Sequence, residues 1–292
     1  MRIGLVDVDG HGGFPNLALM RISAYHKAQG DSVVWWNGFE HYDRVYMSKV
    51  FTFSHDIDTV IYADEIIRGG TGYKDYGRLP PEIEAMAPDY TIYPHFKQAI
   101  GFLTRGCIRN CPWCIVPRKE GSICPAATWQ EIKRPDSREI IFMDNNVLAH
   151  DHGLQQIEEL GNEKIWVDFN QGLDSRLIDD DVAHLLARLH WIRFVRMACD
   201  TPAMIPWVIK AAQRLVDAGI ARSRLWSYVL VQDVKQAHEI VVTLDDWGIQ
   251  PFAQPYRDFD GGEPTDEQKD FARWVNNKAA FHSCEWSEYK RR

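Results

Sequence analysis

The sequence predicts an α/β protein built on parallel sheets. Short apolar runs, which are typical of buried strands, alternate along the chain with segments that have helical periodicity. Residues 71–97, which are rich in proline, glycine and tyrosine, divide this alternation into a short first part and a longer second part. Apolar residues make up 45% of the 292-residue chain and charged residues 25%, which excludes a disordered, collagen-like or disulfide-stapled chain.

Residues 1–95 predict a small Rossmann-like layer in which helices cover a parallel sheet. The apolar run at 2–7 predicts a buried strand. Pro15 opens a segment with apolar residues at helical spacing and Gly30 ends it, so a helix is expected between them. The other elements predicted here are strands at 33–36 and 44–48, a helix at 56–64 and a turn at Gly69-Gly70.

Residues 96–260 predict a partial (β/α)6 barrel of the TIM type. Helical patterns separate most of the six candidate strands in this part of the chain, namely residues 99–104, 139–144, 165–169, 192–198, 225–231 and 249–253. Strands that alternate with helices favour a parallel sheet, and six such units fit an open barrel. Residues 261–292 predict a C-terminal helix and tail, because Thr265 and Gln268 form a capping-box pattern.

The charge and hydropathy of the chain limit its expected location and partners. Lysine and arginine number 33 against 41 acidic residues, and this net charge of -8 gives no indication of nucleic-acid binding. No run approaches the roughly 18 apolar residues of a membrane helix. The first residues also lack the basic and apolar regions of a secretory signal. The sequence therefore predicts a cytoplasmic protein without membrane partners.

Three of the six cysteines lie close together in one segment. Cys107, Cys111 and Cys114 have the spacing C-x3-C-x2-C and directly follow the predicted strand at 99–104. That position is the face at which β/α barrels carry their chemistry. Cytosolic thiols stay reduced, so clustered cysteines favour a metal site or catalysis over disulfides. A structural zinc site uses four ligands, whereas three thiolates leave a coordination position open for a group that is not protein.

The cysteine segment resembles the signature of the radical SAM (S-adenosylmethionine) superfamily. That signature is C-x3-C-x-aromatic-C after the first barrel strand, and Trp113 occupies the aromatic position. The resemblance, which covers about residues 97–255, implies that the three cysteines bind a [4Fe–4S] cluster whose open iron chelates SAM. It also implies an enzyme that cleaves SAM reductively and uses the 5′-deoxyadenosyl radical to abstract hydrogen from a substrate, which the sequence does not identify.

The end of the second predicted barrel strand is where this family usually binds the SAM amino group. A Gly-Gly-Glu-like segment is usual there, whereas this chain has FMDNN at residues 142–146. The resemblance therefore implies that Asp144 accepts from the SAM ammonium group, with Asn145 or Asn146 assisting. The alternative is an ordinary turn at the end of a strand, because aspartate and asparagine favour turns.

Four further polar positions are expected around SAM or the substrate. Arg176 follows the third strand and is expected to pair with the SAM carboxylate, because a guanidinium group binds carboxylates in a bidentate manner. Gln171 and Asp174 are expected to face the ribose or the substrate, and Asp200 follows the fourth strand at the same face. The alternative for Arg176 is a surface ion pair with Asp174, which would contribute little stability.

The first layer resembles the N-terminal cobalamin-binding-like domain of one branch of the superfamily. That domain carries Asp-x-His-x-x-Gly, and the string from Asp9 to Gly13, which includes His11, is one residue short of it. Gly69-Gly70 resembles a glycine pair that contacts the tail of the cofactor. Because the layer is shorter than a full domain of this type, a degenerate layer used for packing or substrate docking is favoured, with cobalamin-dependent methyl transfer as the alternative.

The alternative to an enzyme is a protein with a non-catalytic metal-binding or redox-sensing cysteine loop. Cys124 follows the cluster and is the candidate fourth ligand of a non-catalytic zinc or redox-sensing loop. Within the enzyme reading, basic side chains around the cysteines are expected to attract a small acidic electron donor such as flavodoxin or ferredoxin. These side chains are Arg105, Arg109, Arg118 and Lys119.

Overall fold

The computed structural model describes residues 1–10, 13–259 and 262–289. The chain is a mixed α/β protein, which confirms the predicted class. It divides into two compact units, of which the first comprises Met1–Gln98 with Arg118–Glu120 and the second Ala99–Pro117 with Gly121–Arg292. Within the described residues, no helix is both long and apolar enough to span a bilayer.

The first unit contains a four-stranded parallel sheet. Its strands are β1 (Arg2–Asp7), β2 (Ser32–Trp35), β3 (Tyr42–Ser48) and β4 (Ala63–Gly69). They lie in the order β2-β1-β3-β4. Helix α1 (Leu17–Ala28) connects β1 to β2 and begins where the Asn16 side chain accepts a hydrogen bond from the Leu19 amide, at 3.2 Å. The helix buries Leu19 and Ile22 against Ile3 and Leu5 of the sheet.

The helix predicted at 56–64 is wrong, because the chain there is irregular and leads directly into β4. Thr59, Val60 and Ile61 are consecutive β-branched residues with low helix propensity. The Asp56 carboxylate also accepts from the Ile57 amide at 2.9 Å, which competes with helical hydrogen bonding. Strand β4 instead extends the sheet by pairing in parallel with β3.

The segment at 71–97 has little regular structure, as its prolines and glycines predict. It contains the short helix α2 (Pro81–Glu84) and single 3-10 turns at Thr71–Tyr73 and Tyr90–Ile92. Ile83 of α2 is buried with the helix α1 cluster, so this segment packs on the first sheet.

The second unit contains two parallel sheets and a short antiparallel pair. Its strands are β5 (Ala99–Gly101), β6 (Thr104–Arg105), β7 (Cys124–Pro125), β8 (Glu139–Phe142), β9 (Trp166–Phe169), β10 (His190–Trp191), β11 (Val195–Ala198), β12 (Leu225–Val231) and β13 (Gln250–Pro255). The sheets have the orders β10-β9-β8-β5 and β11-β12-β13, and β6 pairs with β7. Of the strand predicted at 192–198, only residues 195–198 form a strand, β11, and the short β10 lies before the predicted range.

Eight helices follow β5 in the part of the chain that the structure describes. They are α3 (Val116–Lys119), α4 (Trp129–Ile132), α5 (Asp151–Leu160), α6 (Asp180–Ala187), α7 (Ile205–Asp217), α8 (Val234–Asp246), α9 (Asp266–Asn276) and α10 (Lys278–Phe281). The capping box predicted at the start of α9 is confirmed, since the Thr265 and Gln268 side chains each bond the other residue's backbone. Helix α9 buries Phe271 and Trp274 in the core of this unit.

Residues on the two faces of these strands differ in character. Val167, Met197 and Val229 alternate into the helix-covered core, where burial of each such side chain contributes about 1.5–3 kcal/mol. The opposite face carries polar and aromatic groups. Asp168 pairs with Arg196 there, and the Arg196 guanidinium carbon lies 5.5 Å from the ring centroid of Trp226. This alternation places polar and aromatic side chains on one face of the second unit's sheets, where Asp168 and Trp226 are buried.

Candidate functional site

The cysteine segment leaves the sheet through a glycine that no other residue can replace without strain. Gly106 has a φ of +86°, and a Cβ atom on it would lie 2.5 Å from the Ser122 carbonyl oxygen. The Cys107 amide then donates to the Gly121 carbonyl at 3.3 Å. The loop is thereby fixed at its first cysteine, directly after β6.

Cys107, Cys111 and Cys114 lie close enough to influence one another. Burial raises the pKa of the Cys111 and Cys114 thiols, and the charge on neighbouring cysteines of the loop raises both further. The Cys114 amide donates to the Cys111 carbonyl at 3.0 Å, which makes a tight turn between these two residues. All three cysteines are only partly buried. The three predicted ligands thus lie in one partly exposed loop.

Two N–H groups point at the Cys107 sulfur. The Arg109 amide donates to it at 3.3 Å and the Asn146 side-chain amide at 3.4 Å. Such bonds stabilise a thiolate and tune the potential of an iron–sulfur cluster that it binds. The other side-chain atom of Asn146, Oδ1, is buried and has no hydrogen-bond partner among the described residues. A buried acceptor without a donor beside Cys107 is the arrangement that a ligand amino group would complete.

Asp144 has a role different from the expected contact with SAM. Its carboxylate accepts from the Leu103 amide at 3.1 Å, the Thr104 amide at 2.5 Å and the Thr104 hydroxyl at 2.8 Å. The next residue, Asn145, accepts from the Gly106 amide at 3.1 Å. Both side chains therefore hold the backbone that leads into the cysteine loop. Of the three polar residues in this turn, Asn146 is the one that faces the cysteines.

The raised pKa of Asp144 predicts that the free energy of unfolding depends on pH. Burial raises its pKa to about 6, against an ordinary value of 3.8. A raised folded-state pKa stabilises the protein below pH 3.8, and this contribution is lost as the pH rises through 6. We expect wild type to lose up to about 3 kcal/mol of unfolding free energy relative to Asp144→Asn across that window. Urea unfolding at several pH values measures it, and parallel curves for the two proteins would contradict it.

Asp174 joins the cysteine loop to the turn after β9. Its buried carboxylate accepts from Arg109 Nε at 3.0 Å, Arg176 Nε at 2.7 Å and Asn146 Nδ2 at 3.3 Å. Burial raises the pKa of this carboxyl, but the bonds from Arg176 and Arg109 outweigh burial and hold the pKa below its ordinary value. Asp174 therefore stays ionised and cross-links both arginines beside the thiols.

This cross-link changes the expected roles of the two arginines. Arg176 binds Asp174 through Nε and Nη2, so the ion pair considered as an alternative is present, in a partly buried rather than a surface setting. Arg109 turns toward Asp174, which removes it from the basic surface expected to attract an electron donor. Gln171 lies exposed in the turn before Asp174, where the structure gives no contact that supports the predicted role.

The predicted residues Trp113 and Asp200 meet in the structure. The Trp113 indole N–H donates to the Asp200 carboxylate at 3.3 Å, across 87 residues of sequence. Burial raises the pKa of Asp200, although Trp113 and Arg176 lower it. This contact fixes the aromatic position of the cysteine loop against the end of β11.

The donor set fits a cluster with three protein ligands. Among the described residues, no three His, Cys, Asp or Glu side chains are arranged to hold a single metal ion. A [4Fe–4S] cluster instead takes each thiolate on a different iron, and the three partly open thiols with N–H donors on Cys107 suit that demand. Cys124, the alternative fourth ligand, lies opposite Arg105 in the β6-β7 pair. Cys199 is fully buried, as expected of a small apolar residue.

The cobalamin-like features of the first unit have protein partners. The Asp9 carboxylate accepts from the Phe51 amide at 3.0 Å and the Ser54 hydroxyl at 2.7 Å, so it caps the loop after β3. A Cβ atom on Gly70 would lie 2.4 Å from the Lys49 carbonyl oxygen, so the absence of a side chain at Gly70 allows the Lys49 backbone to approach closely. His11 lies outside the described residues.

Sequence comparisons add no family. No protein-family model matches the chain, and no curated protein matches it. The function must therefore be inferred from the residues and geometry of the site.

Proposed function

We propose that this chain is a radical SAM enzyme with one [4Fe–4S] cluster bound by Cys107, Cys111 and Cys114. The observation that carries the proposal is the pairing of these three neighbouring thiols with the unpartnered, buried Asn146 Oδ1 beside Cys107. Three thiolates leave one iron open, and the amide oxygen supplies an acceptor for an amino group bound to that iron. The bound cofactors would supply reductive cleavage of SAM and hydrogen abstraction from a substrate.

We also propose that the second unit is a partial (β/α)6 barrel. Parallel pairing within both larger sheets supports this architecture. So does the isolated parallel bridge between Leu173 and Met197, which relates the segment after β9 to β11. The cysteine loop follows the first strand and Asp200 the strand β11. In such a barrel these residues share the face at which catalytic groups gather.

The residues of this chain would bind and orient SAM. Asn146 would accept from its amino group, and Asp144 with Asn145 would hold the loop backbone in place. Asp174 fixes the Arg176 guanidinium, whose Nη1 is the nitrogen without a hydrogen-bond partner among the described residues, so Nη1 is available to the SAM carboxylate. The Trp113–Asp200 contact would hold the aromatic side chain near the cluster.

We leave cobalamin out of the proposed cofactors, because the Lys49 backbone lies against Gly70 of the Gly69-Gly70 pair. The substrate class stays open. The expected electron donor is a small acidic protein such as flavodoxin or ferredoxin, and Arg109 is not part of its docking surface because Asp174 engages it.

Cleavage of SAM tests the proposal. Protein purified without oxygen and reconstituted with iron and sulfide is mixed with SAM and dithionite, and 5′-deoxyadenosine is measured by chromatography. We expect product from wild type and none from the Cys107/Cys111/Cys114→Ala triple variant. Equal amounts from both proteins would show that the thiols do not support the reaction. A protein that takes up zinc and never builds a cluster would favour the non-catalytic alternative.

A further inference from the structure

Strand β4 forms one edge of the sheet in the first unit. It is last in the order β2-β1-β3-β4 and pairs with β3 alone. The Lys49 amide donates to the Gly69 carbonyl at 3.1 Å, so Gly69 directs its backbone groups toward β3. Because backbone groups alternate between the two sides of a strand, those of Asp64, Ile66 and Arg68 are directed away from β3. Among the described residues, no group forms a hydrogen bond with them on that side.

This edge is exposed to solvent. Its exposed residues are Asp64, Glu65, Ile67 and Arg68. Ile67 is 36% exposed, and Tyr62, just before the strand, is 55% exposed. Edge strands are usually kept short, interrupted by proline or covered by a loop, whereas β4 has 7 residues and no proline. A long edge of this kind is a template on which another strand can pair.

The charges on β4 favour a second copy of this chain as the pairing strand. When two β4 strands run antiparallel about a two-fold axis at Ile66, Asp64 of each copy lies directly opposite Arg68 of the other. Opposite charges in this position stabilise a sheet, and like charges destabilise it. A register that places Asp64 opposite Asp64 of the second copy is therefore disfavoured. In the favoured register, the outward amides and carbonyls of Asp64, Ile66 and Arg68 all pair with those of the other copy.

Both charges of this cross-strand pair are accessible. Asp64 contacts the His41 imidazole at 3.1 Å, but the two side chains are 68% and 61% exposed, and ion pairs of this kind contribute little. Arg68 lies near Asp56 and Tyr73, which are already joined to each other by a hydrogen bond of 2.8 Å. Neither contact removes the charge of Asp64 or Arg68 from the edge.

The other face of β4 carries Glu65 and Ile67. Glu65 pairs with Arg44 of β3 at 2.6 Å, so its charge is compensated within one copy. In the same register Glu65 lies opposite Ile67 of the second copy, and the two Ile67 side chains come within diagonal reach of each other. Pairing would thus cover an exposed apolar side chain on each copy without placing like charges opposite each other.

We propose that two copies of this chain associate through antiparallel pairing of their β4 strands, with Asp64 of each copy opposite Arg68 of the other. The two four-stranded sheets then form one continuous sheet. A single pair of strands buries less surface than a typical stable interface, so we expect a reversible dimer with a Kd of roughly 10–100 µM. This surface belongs to the first unit, so the inference goes beyond the proposed function and does not depend on it.

Analytical ultracentrifugation of the full-length protein over a range of concentrations tests the proposal. Wild type is expected to shift from monomer to dimer as its concentration rises. Asp64→Arg places arginine opposite arginine and Arg68→Asp places aspartate opposite aspartate, so each variant is expected to raise the Kd at least about 10-fold. Asp58→Arg is the matched control, which we expect to dimerise as wild type does. Asp58 is an exposed acid before β4, and its substitution changes the net charge as Asp64→Arg does.

Mixing the two variants gives a sharper test. In a mixed pair, the arginines of the Asp64→Arg chain lie opposite the aspartates of the Arg68→Asp chain at both ends of the interface. We therefore expect an equimolar mixture to dimerise about as tightly as wild type, although neither variant does so alone. The double variant Asp64→Arg/Arg68→Asp is also expected to regain the dimer, because it restores both contacts without changing the net charge of the chain.

Three outcomes would overturn the proposal. One is that wild type stays monomeric at about 1 mM, well above the expected Kd. Another is that both single variants, checked for native circular dichroism, dimerise as tightly as wild type, which would place any dimer interface elsewhere. The third is that neither the mixture nor the double variant dimerises more tightly than the single variants. None of these outcomes depends on whether the protein builds a cluster or cleaves SAM.

Discussion

Replacing Cys107, Cys111 or Cys114 with alanine, one at a time, is expected to abolish the iron–sulfur cluster and all cleavage of SAM. Each thiolate would bind a different iron, so two cysteines cannot retain a four-iron cluster that keeps its open position. Iron and sulfide content after reconstitution, together with the visible absorption of the cluster, measures the first effect. Formation of 5′-deoxyadenosine measures the second.

The chain supplies its own controls for these variants. Cys124→Ala, Cys199→Ala and Cys284→Ala remove thiols that lie outside the loop, so they are expected to leave four irons and SAM cleavage in place. Cys199→Ala also tests for collateral damage, because Cys199 is fully buried. If Cys124→Ala released the metal as completely as Cys107→Ala, Cys124 would be a fourth ligand and the three-ligand cluster would be wrong.

Asp174→Asn is expected to have the largest effect among substitutions outside the cysteines. The 6% exposed Asp174 carboxylate bonds two partly buried arginines, and removing its charge leaves both without their counter-ion. Loss of one partner from such a group costs roughly 2–4 kcal/mol of unfolding free energy. The reduction potential of the cluster is also expected to rise, because a negative charge near it favours the oxidised state.

Denaturant unfolding and a spectroscopic redox titration measure the two effects of Asp174→Asn. Asp136→Asn is the matched control, because Asp136 pairs with Arg134 but is 66% exposed, and an exposed pair contributes less than about 1 kcal/mol. A merely structural role for Asp174 would lower stability without moving the potential. If neither the reduction potential nor the stability changed, Asp174 would have neither of the two proposed roles.

Elements with strong local patterns could be predicted from the sequence. The apolar runs at 2–7 and 225–231 coincide with β1 and β12, and the capping pattern at Thr265 starts α9 as expected. The helix at 56–64 failed because its β-branched residues and the Asp56 turn outweigh a weak periodicity. The strand predicted at 192–198 is limited to β11 at Val195–Ala198, because the extent of a strand depends on its pairing with a neighbour, here β12, which is a tertiary property.

In the candidate site, too, local features could be predicted from the sequence and tertiary contacts could not. The spacing of the three cysteines marks the loop, because ligands supplied by one short segment leave a local pattern. The Arg109–Asp174 and Trp113–Asp200 contacts span 65 and 87 residues, and no local pattern records them. The expected contact with the SAM amino group moves from Asp144 to Asn146, because the Asp144 side chain faces the Leu103 and Thr104 amides. Only the folded backbone decides that orientation.

The proposed function depends on a cluster in the cysteine loop with an open iron that binds SAM. Electron paramagnetic resonance of the reduced, reconstituted protein with and without SAM tests it most directly. We expect one reduced four-iron signal per chain, which changes on addition of SAM and is absent from Cys111→Ala. A signal that SAM leaves unchanged, in a protein with four irons and a full complement of sulfide, would contradict the claim.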